Sequence, residues 1–314
     1  MSFKFYLKGQ QALQKITGEE EIAVRRIPML REELHPKSVR FIEDQIFAFL
    51  GSEDAIGDLW LSLLVGERGF INIPSLHEIR IDLSRLLTTR EDIFHKNIKT
   101  NPTVGLLFHE AIRRSRYRAW GMATEVEGHL SFAIRMGYPS CPRHIQKEEI
   151  ELSESAESTP PAKHEDGTAL GQFEKDWITN AHTFFITTQT ENGDIESSHR
   201  GGDPGFVEIL EDGKLRVPDY FGNSIYSTLG NIYVNPKAAL LFVDYEKGET
   251  LQITGTAALQ FDQNSESDYY KSGETGRFWT FEAKRWIRTI NHHKVNAAFV
   301  EFSKWNVITK KEGK

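Results

Sequence analysis

The sequence predicts a mainly β fold with added helices (α+β), built as two similar β units in tandem behind a helical N-terminal extension. Three observations carry that prediction. From Phe47 onward, short β-rich runs alternate with Gly-containing turns, as in FAFLGSEDAIGDLWLSLLVGERGFINI, which is the pattern of a strand meander. Ahead of it, Leu13, Ile16 and Ile22, and then Val39, Ile42 and Ile46, recur at near-helical spacing, with Pro28 and Pro36 dividing the region into pieces. Finally, the halves repeat. NPTVGLLF at Asn101 to Phe108 matches NPKAALLF at Asn235 to Phe242, an offset of 134 that also sets Asn97 on Asn231, Gly121 on Gly255 and Ala123 on Ala257. Upstream, Gly57 and Asp58 fall on Gly193 and Asp194, Ser62 on Ser198, and Gly69 and Phe70 on Gly205 and Phe206, at an offset of 136. A two-residue indel explains the change. Matches in one order over about 70 residues indicate a duplicated unit rather than chance.

Composition sets the outer limits. A chain of 314 residues exceeds the usual size of one hydrophobic core, so two domains are expected. With 39% hydrophobic and 26% charged residues the chain is of the globular class. A formal net charge of −7 argues against a long nucleic-acid backbone as partner, while leaving room for a small basic pocket. The single cysteine, Cys141, allows no intrachain disulfide and suits a reducing compartment. The N-terminus lacks the apolar core of a signal peptide, and no stretch approaches the roughly 18 apolar residues of a membrane span. The expected setting is therefore the cytoplasm, away from membranes.

Taken in order, further strands are expected at Thr103 to His109, Ser115 to Thr124 and Leu130 to Met136. Residues 145–172 are polar and contain SESAESTPPAKHEDG, which reads as a linker. Phe173 to Thr179 is a helical patch. The run HTFFITTQT, the turn at Asn192 and Gly193 and a strand from Ile195 then form a hairpin, since both turn residues accept positive φ. The aromatic segment RFWTFEAKRWIRTI (Arg277 to Ile290) is expected as a helix and strand over the second unit, with Trp279 and Trp286 in the core. The resulting division is 1–35 extension, 36–144 first unit, 145–172 linker and 173–314 second unit.

Chemistry concentrates in SSHRGGDPGF, Ser197 to Phe206. Two hydroxyls, an imidazole, a guanidinium and three glycines make poor core and good material for holding an anion or a planar ring. The first copy reads LSLLVGERGF there, with Leu63, Leu64 and Val65 in place of His199, Arg200 and Gly201. One copy reads as a buried strand and the other as a site. Gly201, Gly202 and Gly205 suit a bulge or turn as well as a close approach to a ligand. Arg200 suits an anion, or a pair with Asp203. His199 suits a hydrogen bond to a ligand, proton transfer, or a structural role. Ser227 and Thr228 suit a helix start, where hydroxyl and backbone donors also make a phosphate site. Asn223 fits a turn. His292, His293 and His182 lack the carboxylate or Cys spacing of a metal site, so no metal is expected.

Strand, NG hairpin, SHRGGDPGF, PDYFGNSIYSTLGNI, NPKAALLFVDYE and LQITGTA together resemble the pyridoxamine 5′-phosphate oxidase-related proteins, and YPSCPRHIQ at Tyr138 to Gln146 resembles the NCPKYIQ signature of two-barrel members. The resemblance covers roughly residues 36–305 and implies FMN-binding split β-barrels, here two in tandem as an intrachain pseudo-dimer. It implies that Ser198, His199, Arg200, Gly201 and Gly202 lie on the first flavin-binding strand, that Asn223 lies near the phosphate, and that Ser227 and Thr228 replace the oxidase's Arg-Lys phosphate pair. Arg116, in a basic strand with Arg113, Arg114 and Arg118, aligns with Thr250, where the oxidase carries a glutamine that reaches the partner's flavin. It further implies an FMN-dependent oxidoreductase with a small-molecule substrate or an electron donor such as NAD(P)H or a reductase, and allows a homodimer. A flavin-binding or electron-transfer module without turnover and a haem-binding split barrel are the rival readings. Cys141 reads either as a thiol near the flavin or as an inert half-buried residue.

Overall fold

The computed structural model describes residues 6–153 and 161–307. The N-terminal segment forms α1 (Lys8–Thr17), α2 (Glu20–Val24) and α3 (Val39–Glu43). A first set of strands follows: β1 (Phe47–Glu53), β2 (Leu59–Val65), β3 (Ile71–Ser75) and β4 (Glu78–Asp82), then helix α4 (Phe94–Thr100), then β5 (Thr103–Glu110), β6 (Ser115–Val126) and β7 (His129–Pro139). Within the polar stretch expected as linker, β8 (Lys147–Leu152) and β9 (Lys163–Gly167) are strands, and residues 154–160 lie outside the described residues. The second set is α5 (Gln172–Asn180), β10 (Thr183–Gln189), β11 (Ile195–Gly201), β12 (Glu208–Ile209), β13 (Leu215–Pro218), α6 (Ser227–Val234), β14 (Lys237–Asp244), β15 (Glu249–Gln260), α7 (Glu266–Lys271), β16 (Phe278–Ile290) and β17 (Val295–Glu301).

The chain is mainly β with short helices. Its two large sheets are antiparallel and share one strand order: β2-β1-β5-β6-β7-β4-β3 in the first and β11-β10-β14-β15-β16-β13-β12 in the second, where β9 also pairs with β16. β8 and β17 form a separate ribbon. Local details recur with the order. The register shifts at Trp120/Gly121 between β6 and β7, and at Thr254/Gly255 between β15 and β16. At both bulges only glycine fits, because a Cβ would lie 2.0 Å from the Ala133 oxygen or 2.1 Å from the Glu282 oxygen. The Asn97 amide donates to Ser52 at 3.0 Å, and the Asn231 amide to Thr188 at 3.0 Å, tying each short helix to the first strand of its sheet.

Each sheet encloses its own apolar cluster, one around Phe94, Phe108 and Phe132, the other around Phe184, Phe242 and Trp279. A third cluster joins them: Phe49, Leu61, Leu63 and Leu107 of the first sheet meet Phe185 and Leu241 of the second, and the Phe49 and Phe185 rings stack at 3.6 Å. Across this junction β11 lies against β5 and β6, and β2 lies against β14 and β15.

Two expectations change. The segment Arg277 to Ile290 holds no helix; Phe278–Ile290 is one strand of 13 residues, buried at Phe278, Trp279, Phe281 and Trp286. Its β-rich aromatic content outweighs the local helical spacing. In the β10–β11 hairpin only Gly193 has positive φ, at 86°, because Gly193 N–H returns to Thr190 and Asp194 closes the turn. The Trp side chains Trp279 and Trp286 are buried, as core packing requires.

Candidate functional site

A cleft opens where the two sheets meet. Strand β11 contributes Ser198, His199, Arg200 and Gly201; β6 contributes Arg116 and Arg118; the turn after β7 contributes Ser140, Cys141, Arg143 and His144. The loop from β13 into α6 closes it with Asp219, Tyr220, Phe221, Asn223, Ser227 and Thr228, and Arg277 stands behind. Of the residues that the resemblance assigns to the cofactor, Ser198, His199, Arg200, Gly201, Asn223, Ser227, Thr228 and Arg116 line this cleft and Gly202 does not; Gly205 and Asp203 also lie outside its lining. A Cβ on Gly202 would lie 2.6 Å from the Phe206 ring, and one on Gly201 would lie 2.1 Å from the His144 oxygen. Both glycines are therefore required by contacts of the protein with itself.

Five guanidiniums converge here. Arg118 is compensated: it lies 3.5 Å from the Glu196 carboxylate and donates to the Ser197 oxygen at 2.8 Å and to the Tyr138 hydroxyl at 2.6 Å. Arg277 pairs with Asp219 at 2.9 Å and Glu19 at 3.4 Å. Among the described residues, Arg116, Arg143 and Arg200 have no carboxylate partner. Arg116 donates to the Cys141 oxygen at 2.8 Å and to His199 Nδ1 at 3.1 Å. Arg200 reaches only the Ser198 hydroxyl at 3.3 Å and the His199 oxygen at 3.2 Å. Burial, with the charge of Arg200 nearby, brings the Arg116 guanidinium down to about 10, and burial also lowers that of Arg200. Guanidiniums held together, desolvated and short of acids, form a field that an anion relieves.

His199 is fully enclosed. Its ring stacks on His109 at 4.8 Å and meets Phe185 edge-on at 5.7 Å. Burial, then the neighbouring charges and His109, hold it well below the ordinary histidine range. Arg116 can only donate, so Nδ1 accepts and Nε2 carries the proton. Among the described residues that buried Nε2–H has no partner, and neither do the buried Ser140 Oγ, His144 Nδ1 and Tyr220 Oη, which belong to residues lining the same cleft. His144, stacked on Tyr220 at 4.7 Å, is lowered to about 4, by burial first and the surrounding arginines second.

Helix α6 presents its N-terminus to the cleft. Its cap residue Tyr226 is left-handed, with φ 58°, and provides no side-chain cap, so the first N–H groups of the helix lack that partner. Ser227 is anchored by Tyr138 at 2.8 Å and by Gln10 of α1 at 3.3 Å. Asn223 turns its oxygen onto the Ile225 N–H at 3.1 Å, shaping the loop. Uncompensated guanidiniums, a free imidazole N–H, hydroxyls and helix amides together suit an anion with several oxygens, such as a phosphate. The enclosed space is about 120 Å³, less than the roughly 300–1,000 Å³ of most ligand pockets. That volume is enough for a phosphate-sized anion.

Arg118, Arg143, His144, Tyr220 and Arg277 were not singled out from sequence. All lie in stretches quoted above, the basic strand, YPSCPRHIQ, PDYFGNSIYST and RFWTFEAKRWIRTI, yet nothing local marks them as facing one cleft.

Residues 171–291 match the family model for pyridoxamine 5′-phosphate oxidase. The match falls on the family expected from the sequence. It spans the oxidase-like second sheet with β11, the loop and α6, which supply most of the cleft. No curated protein matches the chain. Solved structures similar to parts of it include HupZ of group A Streptococcus (18% identity, 38% of this chain and 98% of that one, TM-score 0.30). Another is a protein related to general stress protein 26, of the pyridoxinephosphate oxidase family, from Clostridium acetobutylicum (20%, 41% and 92%, TM-score 0.29). A third is a FAD-binding protein from Mesorhizobium loti (10%, 41% and 97%, TM-score 0.29).

Proposed function

We propose that the chain is an FMN-binding oxidoreductase, with one flavin in the cleft between two tandem split barrels that act as an intrachain pseudo-dimer. The barrels are residues 36–144 and 173–314, preceded by the 1–35 extension and joined through 145–172. The observation that carries the reading is the group of half-buried guanidiniums without a carboxylate partner among the described residues, beside the N-terminus of α6, in a cleft supplied mostly by the oxidase-like region. In this reading Arg200, Thr228 and the α6 amides hold the phosphate, Ser227 positions the helix end, and Arg116 and the His199 Nε2–H reach the ring carbonyls. Bound FMN supplies hydride or single-electron chemistry. A small-molecule substrate or a donor such as NAD(P)H or a reductase then meets the ring at the mouth, and pairing into a homodimer belongs to the same reading.

Purified protein is expected to be yellow, absorbing near about 450 nm as flavins do. Arg200→Ala combined with Thr228→Ala is expected to lose the flavin while far-UV circular dichroism stays unchanged. A colourless protein that refuses added FMN, or unchanged stoichiometry in the double variant, overturns the assignment, and a Soret band points to haem instead.

A second reading, a flavin carrier without turnover, has one observation in its favour. Both cleft histidines are held neutral far below physiological pH, so neither exchanges a proton readily with a substrate near neutrality. Anaerobic mixing with NADH or NADPH separates the two: bleaching at turnover rates supports an enzyme, and persistent colour supports the carrier.

A further inference from the structure

A second cleft, of about 450 Å³, is lined by residues of α5, β8, β10, β14, β17 and the turn between β14 and β15. Phe185 forms part of its wall and also meets the ring of His199, which lines the first cleft, edge-on at 5.7 Å. At its floor is Glu148 of β8, only 9% exposed. The nearest basic group is His182 Nε2 at 3.4 Å, and among the described residues no Lys or Arg pairs with this carboxylate. Burial keeps His182 below its ordinary range, so the imidazole brings no fixed positive charge. Burial likewise pushes the Glu148 carboxyl up to about 7, and Tyr245 beside it is raised well above its usual value by burial and by Glu148.

The walls are aromatic. Trp177, Phe185, Tyr245 and Phe299 line the space, and Phe299 stands 49% exposed at the entrance. The rim adds Asp176, Asp244 and Glu246 against the single Lys247, itself tied to Asp244 at 2.8 Å. A buried carboxylate without a cation, below a ring-lined throat and an acidic rim, is complementary to a positive charge carried on an apolar body. An anion would meet four carboxylates. A neutral apolar molecule would leave Glu148 desolvated and unpaired.

We propose that this cleft is a binding site for an organic cation, an ammonium group on an aromatic or aliphatic body, with Glu148 taking the charge and Trp177, Tyr245 and Phe299 taking the body. The site is independent of the flavin reading, since it shares no residue with the first cleft.

The test uses the full chain at pH 8 and three probes of one shape: 2-phenylethylammonium, 2-phenylethanol and phenylacetate, titrated by calorimetry and tryptophan fluorescence. The cation is expected to bind at least tenfold more tightly than the alcohol, and the carboxylate not at all. Glu148→Gln is expected to erase the preference of cation over alcohol. Because that variant alters a buried group, Phe299→Arg at the exposed entrance serves as the second: a guanidinium there is expected to weaken cation binding at least tenfold with the fold intact. Equal affinity for cation and alcohol, no binding of any probe, or a preference that survives both substitutions overturns the proposal. Flavin content, measured in the same samples, is expected to be unchanged by either variant.

Discussion

His109 shows how an unpaired polar residue can be legible only in three dimensions. It sits 3% exposed between Phe49, Phe185 and His199, and among the described residues neither ring nitrogen has a partner. Burial lowers its pKa from 6.5 to about 3, with Arg116 adding to the effect. In the unfolded chain this histidine takes up a proton as pH falls through 6.5; in the folded chain it stays neutral until about 3. The unfolded state therefore binds more protons between those values, and stability is lost as pH falls through that window. At pH 5 the loss amounts to about 2 kcal/mol, and at pH 8 it is absent. His109→Phe keeps the stacking and removes the titration. Urea unfolding of both proteins at pH 8 and pH 5 is expected to show the variant gaining about 2 kcal/mol more at the lower pH. A difference that does not change with pH would mean that His109 is protonated in the folded state.

At the scale of elements, α1 serves the cleft without lining it. Gln10 donates to Ser227, and Gln14 donates to the Ser224 oxygen at 3.3 Å, so one face of α1 braces the loop and the start of α6. The two helices meet at Gly9 and Gly230; a Cβ on Gly9 would lie 1.9 Å from the Gly230 oxygen. Gly9→Ala must push the helices apart, which typically costs about 1–3 kcal/mol, and it loosens Ser227 with them. If the cleft holds flavin as proposed, the expected result is flavin bound severalfold more weakly in a protein of unchanged strand content. Gly18→Ala is the control: Gly18 ends α1 at φ 69° with nothing near its Cβ, so it is expected to cost about 1 kcal/mol of stability and leave flavin affinity alone. Equal flavin loss in both would trace the effect to α1 stability rather than to bracing. This also marks what the sequence conveys. Period and turn residues reveal β10, β11 and α5 because those signals are local, and the β11 site residues stand out through their chemistry. Gln10, Glu19 and Arg277 reach the cleft region through contacts across more than 200 residues, which no local pattern encodes. The long strand β16 went unrecognised as one element because its aromatic residues suit a helix face as well as a sheet.

At the scale of the molecule, the two sheets are joined by equivalent bonds made with different chemistry. Gln252 of β15 donates to the Leu61 oxygen of β2 at 3.0 Å; at the corresponding place Arg118 of β6 donates to the Ser197 oxygen of β11 at 2.8 Å. The amide side satisfies a buried carbonyl and the Ser62 hydroxyl, at 3.1 Å, and brings no charge. The guanidinium side adds a charge, matched by Glu196, which is 2% exposed. Arg118 thus belongs to one sheet and its counter-charge to the other, and neither is stable alone in so dry a place. Removing one partner of a buried pair typically costs about 3–5 kcal/mol, because the other is left uncompensated. Arg118→Met is therefore expected to destabilise the whole chain by about that amount, and Glu196→Gln by somewhat less, since its neighbours still hydrogen-bond. The double variant leaves no lone charge and is expected to recover at least about 2 kcal/mol relative to the sum of the singles. Urea unfolding of all four proteins closes the cycle. Additive effects would show that each charge is solvated separately, and that the apolar contacts around Phe49 and Phe185 hold the sheets together without help from the pair.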